Sequence, residues 1–346
     1  MTSPLLAPIE APEESTPETA ALDAGLTPEA LAAALELPVA VPPEIWRHAL
    51  VGPARELVAR PGKRFRARLV ELAWRMAGGC GASPTTFAAV VELLHAGSLI
   101  VDDVEDEATV RRGAPALHLV VGTALAINTG NWLYCWPSQL VAQAGLAPHV
   151  ELAVHREIQQ CLVRCHHGQA LDLGTRIGTL RRVDVPAVTA AIGRLKTGAL
   201  LALAGRLGAR AADADEEMVT ALADFGLALG EGLQMLDDLG SLRTPAKAAE
   251  DLGHGRCTWP WAWLAERADD TTWAHLTRQA RALDGADANA VAALAGELAR
   301  HVAEHGKTVA RAHLRSALAT LATRVGARPE LDALAREIAR LEVSYG

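Results

Sequence analysis

The sequence predicts an all-α protein, a single large helical bundle with its site in the bundle core, and three observations carry that expectation. Ala, Leu, Arg and Glu, all strong helix formers, dominate from Pro43 onward. The Val, Thr and Tyr alternation expected of strands is nearly absent. Gly and Pro fall in a few short clusters that read as breaks between long helices.

Taken in order, residues 1–43 are rich in Pro, Ala, Glu and Thr and poor in large apolar side chains. Such a segment does not offset the entropy of ordering, so it reads as a mobile tail with one short helix near 28–37. Helices are then expected near 44–59, 64–78, 84–105, 115–128, 130–144, 148–171, 185–208, 215–238 and 258–268, with more toward the C-terminus. The breaks carry Pro61-Gly62, Gly78-Gly79, Gly113-Ala114-Pro115, Gly145 to Pro148, and Thr244-Pro245. Residues 84–105 and 215–238 are apolar on more than one face, as helices in a bundle interior are. No short repeat period supports a solenoid. The expected organisation is a tail, 1–43, and one helical domain, 44–346.

Half of the 346 residues are hydrophobic, enough for a large core. Acidic residues outnumber basic ones, 41 to 33, which excludes a general binder of nucleic-acid backbones. The five cysteines form no CxxC pair and their number is odd, so a reducing, cytoplasmic compartment is expected. The N-terminus has no basic segment followed by an apolar one, and no run of about 18 apolar residues predicts a membrane crossing. Eight of the thirteen aromatic residues are Trp, an unusual bias.

The most informative residues are acids next to apolar helix. Leu93-Leu94-His95-Ala96-Gly97-Ser98-Leu99-Ile100-Val101 runs into Asp102-Asp103-Val104-Glu105-Asp106. Asp102 and Asp106, four apart, share a helix face one turn apart. Their repulsion in an apolar setting is relieved by a cation, and oxygen-only ligands favour Mg²⁺. A solvated helix end would look the same in isolation. A second pair, Asp237-Asp238, follows Gly232-Leu233-Gln234-Met235-Leu236, and metal sites in bundles need acids on more than one helix. Basic groups accompany them: Gly62-Lys63-Arg64-Phe65-Arg66 at a helix start, Arg111-Arg112-Gly113, Lys196-Thr197, and Lys247 and Arg256 on either side of Asp251-Leu252-Gly253. Each alone reads as a surface cation. Together with the acids they suggest a substrate that is polyanionic at one end and held through metal.

From about residue 45 to the C-terminus the chain resembles the all-trans isoprenyl diphosphate synthases, or polyprenyl synthetases. GKRFR resembles that family's GKRxRP segment, with Ala67 in place of the Pro. HAGSLIVDDVEDEATVRRG resembles its first aspartate-rich motif, and GQALDLG (168–174), KTG (196–198), QMLDD (234–238) and DLGHGRCTWP (251–260) follow in the family's order. The resemblance implies that Asp102, Asp106 and Asp237 bind three Mg²⁺ ions bridging the diphosphate of an allylic substrate. It implies that Arg111, Lys196 and Lys247 hold that diphosphate, while Lys63, Arg66, His95 and Arg112 hold that of isopentenyl diphosphate. Arg256 joins the substrate-binding set. Thr197 and Gln234 are implied to turn oxygen dipoles toward the allylic cation. The implied assembly is a homodimer, and the implied activity is chain elongation.

The chain departs from the pattern at Ser241, where the second motif's last Asp is expected, and at Asn131, where Asp is common. Trp132 and Trp136, four apart, are either core or an aromatic lining that would favour a terpene cyclase on the same scaffold. A non-catalytic regulatory subunit is a third reading, opposed by the intact first motif. Cys161, Cys165, His166 and His167 match no closed zinc site and read as core cysteines beside histidines near a cavity. Small residues one turn before Asp102, Gly97 and Ser98, are expected to face the growing chain and leave room for a C15–C20 product.

Overall fold

The computed structural model describes residues 16–39, 41–283 and 288–345. In chain order the elements are α1 (Pro17–Gly25), α2 (Pro28–Leu35), α3 (Pro43–Trp46), which continues through a π turn, Arg47–Val51, into α4 (Gly52–Val58), α5 (Phe65–Met76) and α6 (Thr85–Glu105). A two-residue hairpin of β1 (Val110–Arg111) and β2 (Ala114–Pro115) follows, then α7 (Leu117–Val121), α8 (Thr123–Cys135), α9 (Pro137–Ala142) and α10 (Pro148–Gly174). Next come α11 (Val185–Gly193), a π segment at Arg194–Gly198, α12 (Ala199–Ala211), α13 (Glu216–Ser241), α14 (Pro245–Gly253) and α15 (Trp259–Arg267). The chain closes with α16 (Asp270–Arg281), α17 (Ala288–Val325) and α18 (Pro329–Tyr345). The all-α expectation holds.

Contacts group the chain into two compact units, one from Met1–Arg68 and Ser83–His155, the other from Leu69–Ala82 and Arg156–Gly346. In the first, α6 packs against α1, α8 and α9. Its crossing with α8 is set by two glycines. A Cβ at Gly97 would lie 2.9 Å from the Gly130 carbonyl oxygen, and one at Gly130 would lie 2.7 Å from Val101 Cγ2. This corrects two expectations. Gly97 faces α8 rather than a substrate chain, and Gly130 sits inside a continuous helix where a new helix was expected to begin. The breaks fall at Gly122, whose φ of 84° suits only glycine, and at Pro137.

A further correction concerns residues 17–35, expected to be mostly tail. Pro17 occupies the first turn of α1, and Thr16 and Thr19 form a reciprocal capping box, so a short helix starts cleanly. Leu22, Leu26 and Leu31 are buried with Leu57, Leu93, Leu133 and Trp136. Each such leucine contributes about 2 kcal/mol by burial, which offsets the ordering that composition alone argued against. Residues 1–15 of the expected tail lie outside the described residues. Trp132 stacks on Trp136 with ring centroids 4.8 Å apart, and Trp136 is core.

In the second unit α13 is central, packed on α12 and α17. The continuous helical run Arg182–Ala211 is long and apolar enough to cross a membrane, which the sequence reading did not anticipate. Its apolarity has a plain cause in packing: the six consecutive residues from Ala199 to Ala204 are all buried in the core of this unit.

Candidate active site

The sequence-predicted residues fall into two groups, one in each unit. In the first, α6 ends at Glu105 and presents Asp102 and Asp106, both half-buried, one turn apart. Asp103, between them, points elsewhere: it is 1% exposed and accepts the Arg111 Nε–H at 2.6 Å. Burial, and then the nearby charge of Asp106, raise its pKa, while Arg111 opposes the rise. The second Asp of the motif is therefore the residue that orients Arg111.

The hairpin explains how Arg111 and Arg112 arrive. Arg112 (φ 53°) and Gly113 (φ 79°) both adopt the left-handed region, as the central pair of a tight turn between twisted strands must. Glycine does this freely, and a residue with a Cβ does so only at some strain. The Arg112 guanidinium then donates to the Leu57 and Arg60 carbonyls at 3.4 and 3.5 Å. Burial lowers the Arg112 pKa, and Glu92 on α6 holds its charge in place.

At the start of α5 the expected anion site is partly taken. The Ala67 N–H donates to the buried Glu92 carboxylate at 3.0 Å, so a side chain from α6 caps this helix. Arg64, with a left-handed φ of 46°, pairs with Glu18 of α1 at 2.8 Å. The Nε atoms of Arg64 and Arg66 are buried without an acceptor among the described residues. Lys63 is exposed. His95 is held neutral: burial first, then the charges of Arg66, Arg112 and Arg111, push its pKa well below the usual imidazole range. The structure thus gathers His95, Arg66, Arg111 and Arg112 into one electropositive cluster. Glu92, Glu18 and Asp103, which the sequence reading missed, tie that cluster down.

In the second group, Lys196 and Thr197 lie in the π segment Arg194–Gly198. A π turn bulges the backbone, and α13 packs directly against it. A Cβ at Gly230 would lie 2.5 Å from the Gly198 Cα, so both helices need glycine at the crossing. That crossing brings the Thr197 hydroxyl to Gln234, one turn along α13, where it donates to Oε1 at 2.6 Å. Gln234 Nε2 in turn donates to Asp238 Oδ1 at 2.7 Å, and the Trp259 N–H donates to Asp238 Oδ2 at 2.8 Å. From α10, the Cys161 and Cys165 thiols donate to the Ala199 and Lys196 carbonyls, at 3.4 and 3.7 Å.

Lys196 is paired with Asp172 of the GQALDLG segment at 2.7 Å. Arg256 is buried, and its Nη1 donates to the Asp172 carbonyl at 2.6 Å, so it stands behind the Lys196–Asp172 pair instead of on an open surface. Lys247 pairs with Asp237 at 2.9 Å. Asp238 is pushed up to about 7, by burial first and then by the charges of Asp237 and Asp172. Asp251, also raised by burial and by Asp238, accepts a hydrogen bond from Ser241. Ser241 therefore stands, as a neutral hydroxyl, against the Asp251 carboxyl.

Among the described residues no three potential metal ligands cluster. In the first unit Asp102 and Asp106 offer oxygen donors only, a pair that could hold Mg²⁺, which keeps several waters, takes one or two carboxylates and shares its remaining positions with phosphate oxygens.

Comparison with known proteins identifies the family. A family model described as polyprenyl synthetase matches residues 47–295. The chain is 32% identical over 196 residues to a short chain isoprenyl diphosphate synthase of Methanothermobacter thermautotrophicus, covering 56% of this chain and 59% of that protein. It is 36% identical over 179 residues to a nonaprenyl diphosphate synthase of Mycobacterium tuberculosis, covering 51% of each. The match thus spans little more than half the length of these relatives. A polyprenyl synthase from Caulobacter crescentus CB15, solved with calcium and isoprenyl diphosphate, superposes with a TM-score of 0.76 at 25% identity, covering 94% of both chains.

Proposed function

We propose that this chain, which belongs to the polyprenyl synthetase family, condenses isopentenyl diphosphate with an allylic diphosphate to give an all-trans prenyl diphosphate. The observation that carries this reading is the first group: a carboxylate pair one turn apart at the end of an apolar helix, in the same unit as Arg64 and Arg66, whose buried Nε–H atoms have no acceptor among the described residues. Such a site suits a substrate that is a diphosphate at one end and apolar at the other.

Asp102 and Asp106 in the first group, and Asp237 in the second, would hold Mg²⁺, with three ions in all. Bound there, the metal would supply the positive charge that lets a diphosphate leave. Lys63, Arg66 and Arg112 would bind isopentenyl diphosphate, and His95, being neutral, would add an N–H donor without adding charge. Arg111 and Lys196, steered by Asp103 and Asp172, would bind the allylic diphosphate, with Lys247 beside Asp237. Thr197 gives its proton to Gln234, so its lone pairs remain to face a developing allylic cation. The Gln234 oxygen accepts that proton and keeps its second lone pair, so both Thr197 and Gln234 would turn oxygen dipoles toward the cation. The last proton would leave with the released diphosphate.

The Trp132–Trp136 stack does not favour the cyclase reading, because Trp136 is part of the α1–α6–α8 core. For product length, Ser98 retains the argument that Gly97 loses. It shares the Asp102 face one turn earlier, and its hydroxyl folds back onto the His95 carbonyl at 2.8 Å, leaving space for a C15–C20 chain. The working form is proposed to be a cytoplasmic homodimer.

Replacing Asp102 or Asp106 with Ala tests the metal assignment. The expected outcome is a loss of two or more orders of magnitude in turnover, about 3 kcal/mol or more in the barrier. The melting temperature without metal should be unchanged or raised as the like-charge repulsion is relieved. Near-normal turnover by either variant would contradict it.

A further inference from the structure

Helix α1 lies wholly before residue 47, where the family match begins, yet it delivers a charged side chain into the first group. Glu18, in the first turn of α1, is 5% exposed, and its carboxylate meets the Arg64 guanidinium at 2.8 Å. Its charge also acts on Arg112. The placement is not loose. The capping box at Thr16 and Thr19 fixes the turn that carries Glu18, Leu22 and Leu26 bury the face beyond it, and Arg55 pairs with Asp23 farther along the helix. On the other side, Arg64 takes up its left-handed backbone immediately before α5, the helix whose second residue is Arg66.

We infer that Glu18 is an internal counter-ion that sets the affinity of the Lys63–Arg66–Arg112 cluster for isopentenyl diphosphate, through the charge of Arg64. This rests on the reading of that cluster given above. Two other cations are matched from α6 and from nearby backbone: Arg111 by the buried Asp103, and Arg112 by Glu92 and two backbone carbonyls. Arg64 is matched by a carboxylate from α1, a helix that precedes the family match. A diphosphate bound at the cluster feels Glu18 as a like charge and Arg64 as an attraction already partly cancelled. Removing the Glu18 charge leaves Arg64 uncompensated and strengthens the site. Removing the Arg64 charge leaves a bare carboxylate and weakens it.

The test is calorimetric titration of isopentenyl diphosphate into the whole chain in EDTA, so that metal-dependent binding is silent. Glu18→Gln should bind roughly three- to fivefold tighter than the unaltered protein, the size expected of one partly exposed ion pair. Glu18→Asp, which keeps the charge, should stay near the unaltered value. Arg64→Gln should bind more weakly, and Glu18→Gln with Arg64→Gln should return toward the starting affinity. Arg66→Gln is the control for the site and should abolish binding. If Glu18→Gln leaves affinity unchanged or lowers it while Arg66→Gln still abolishes it, the counter-ion role is overturned and the site reading stands. If Glu18→Asp behaves as Glu18→Gln does, packing and not charge is responsible, and the inference fails. If Arg66→Gln binds normally, the site reading fails and takes this inference with it. Should Glu18→Gln not fold, Arg64→Gln alone decides: undiminished binding overturns the inference.

Discussion

Asp238 shows how far a single residue departs from its ordinary chemistry here. Both carboxylate oxygens accept N–H groups, from Gln234 and from Trp259, yet burial dominates and raises its pKa to about 7. The folded state then keeps a proton that the unfolded chain releases above about pH 4. The associated stability is fully present below about pH 4 and is lost as pH rises to about 7, above which it stays lost. His95, neutral when folded, contributes a slope of the opposite sign near the ordinary imidazole range, so the comparison between proteins is the readout. Asp251, raised in the same direction, adds a fall of the same sign, so in EDTA Asp238→Asn should lessen the fall in stability between pH 5 and 7 that the unaltered protein shows. The variant will also melt lower at all pH values, because one amide N–H₂ must face an N–H donor. A slope unchanged by the substitution would show that Asp238 is not the titrating group. At this scale the sequence was legible only in part. Asp102, Asp106, Asp237 and Lys196 could be picked out by motif and spacing. Asp103, Glu92 and Asp172 could not, because spacing along a helix does not say which of two neighbouring acids turns inward to meet an arginine or lysine.

At the scale of elements, close approach between helices decides what small residues mean. Gly97 was expected to open space for substrate, but the α6–α8 crossing uses it. Gly97→Phe should accordingly act on stability, forcing the helices apart at a cost of several kcal/mol, beyond the usual overpacking range of about 1–3. Ser98→Phe, on the Asp102 face, should shorten the product while leaving the melt nearly intact. Chromatography of the products together with thermal melts separates the two. A shortened product from a well-folded Gly97→Phe, or an unshortened one from Ser98→Phe, would place the chain elsewhere. The same crossing explains why a break expected near Gly130 is absent, since a glycine that permits contact looks in sequence like one that ends a helix. The π segment bearing Lys196 and Thr197 was equally hidden, since nothing in local composition marks it and the Gly198–Gly230 approach beside it involves a helix some thirty residues away.

At the scale of the whole molecule, helical composition and sparse breaks were enough to give the fold class, and the long apolar helices α6 and α13 are indeed the centres of their units. The ordering of residues 17–35 was not legible, because it depends on where Leu22, Leu26 and Leu31 find partners and not on local composition. Assembly belongs to this scale too. Light scattering should give a mass near twice 36.5 kDa that holds on dilution to micromolar concentration. A constant mass of one chain would remove the homodimer from the account.

The central claim is that two substrates are joined, and product formation with one substrate withheld tests it most directly. Purified protein is incubated with Mg²⁺ and dimethylallyl or geranyl diphosphate, with and without isopentenyl diphosphate, and the extracted products are resolved by mass. Longer prenyl diphosphates, each heavier by one isoprene unit, should form only when isopentenyl diphosphate is present. A hydrocarbon or terpene alcohol formed without it, or no turnover of any allylic substrate, would contradict the account.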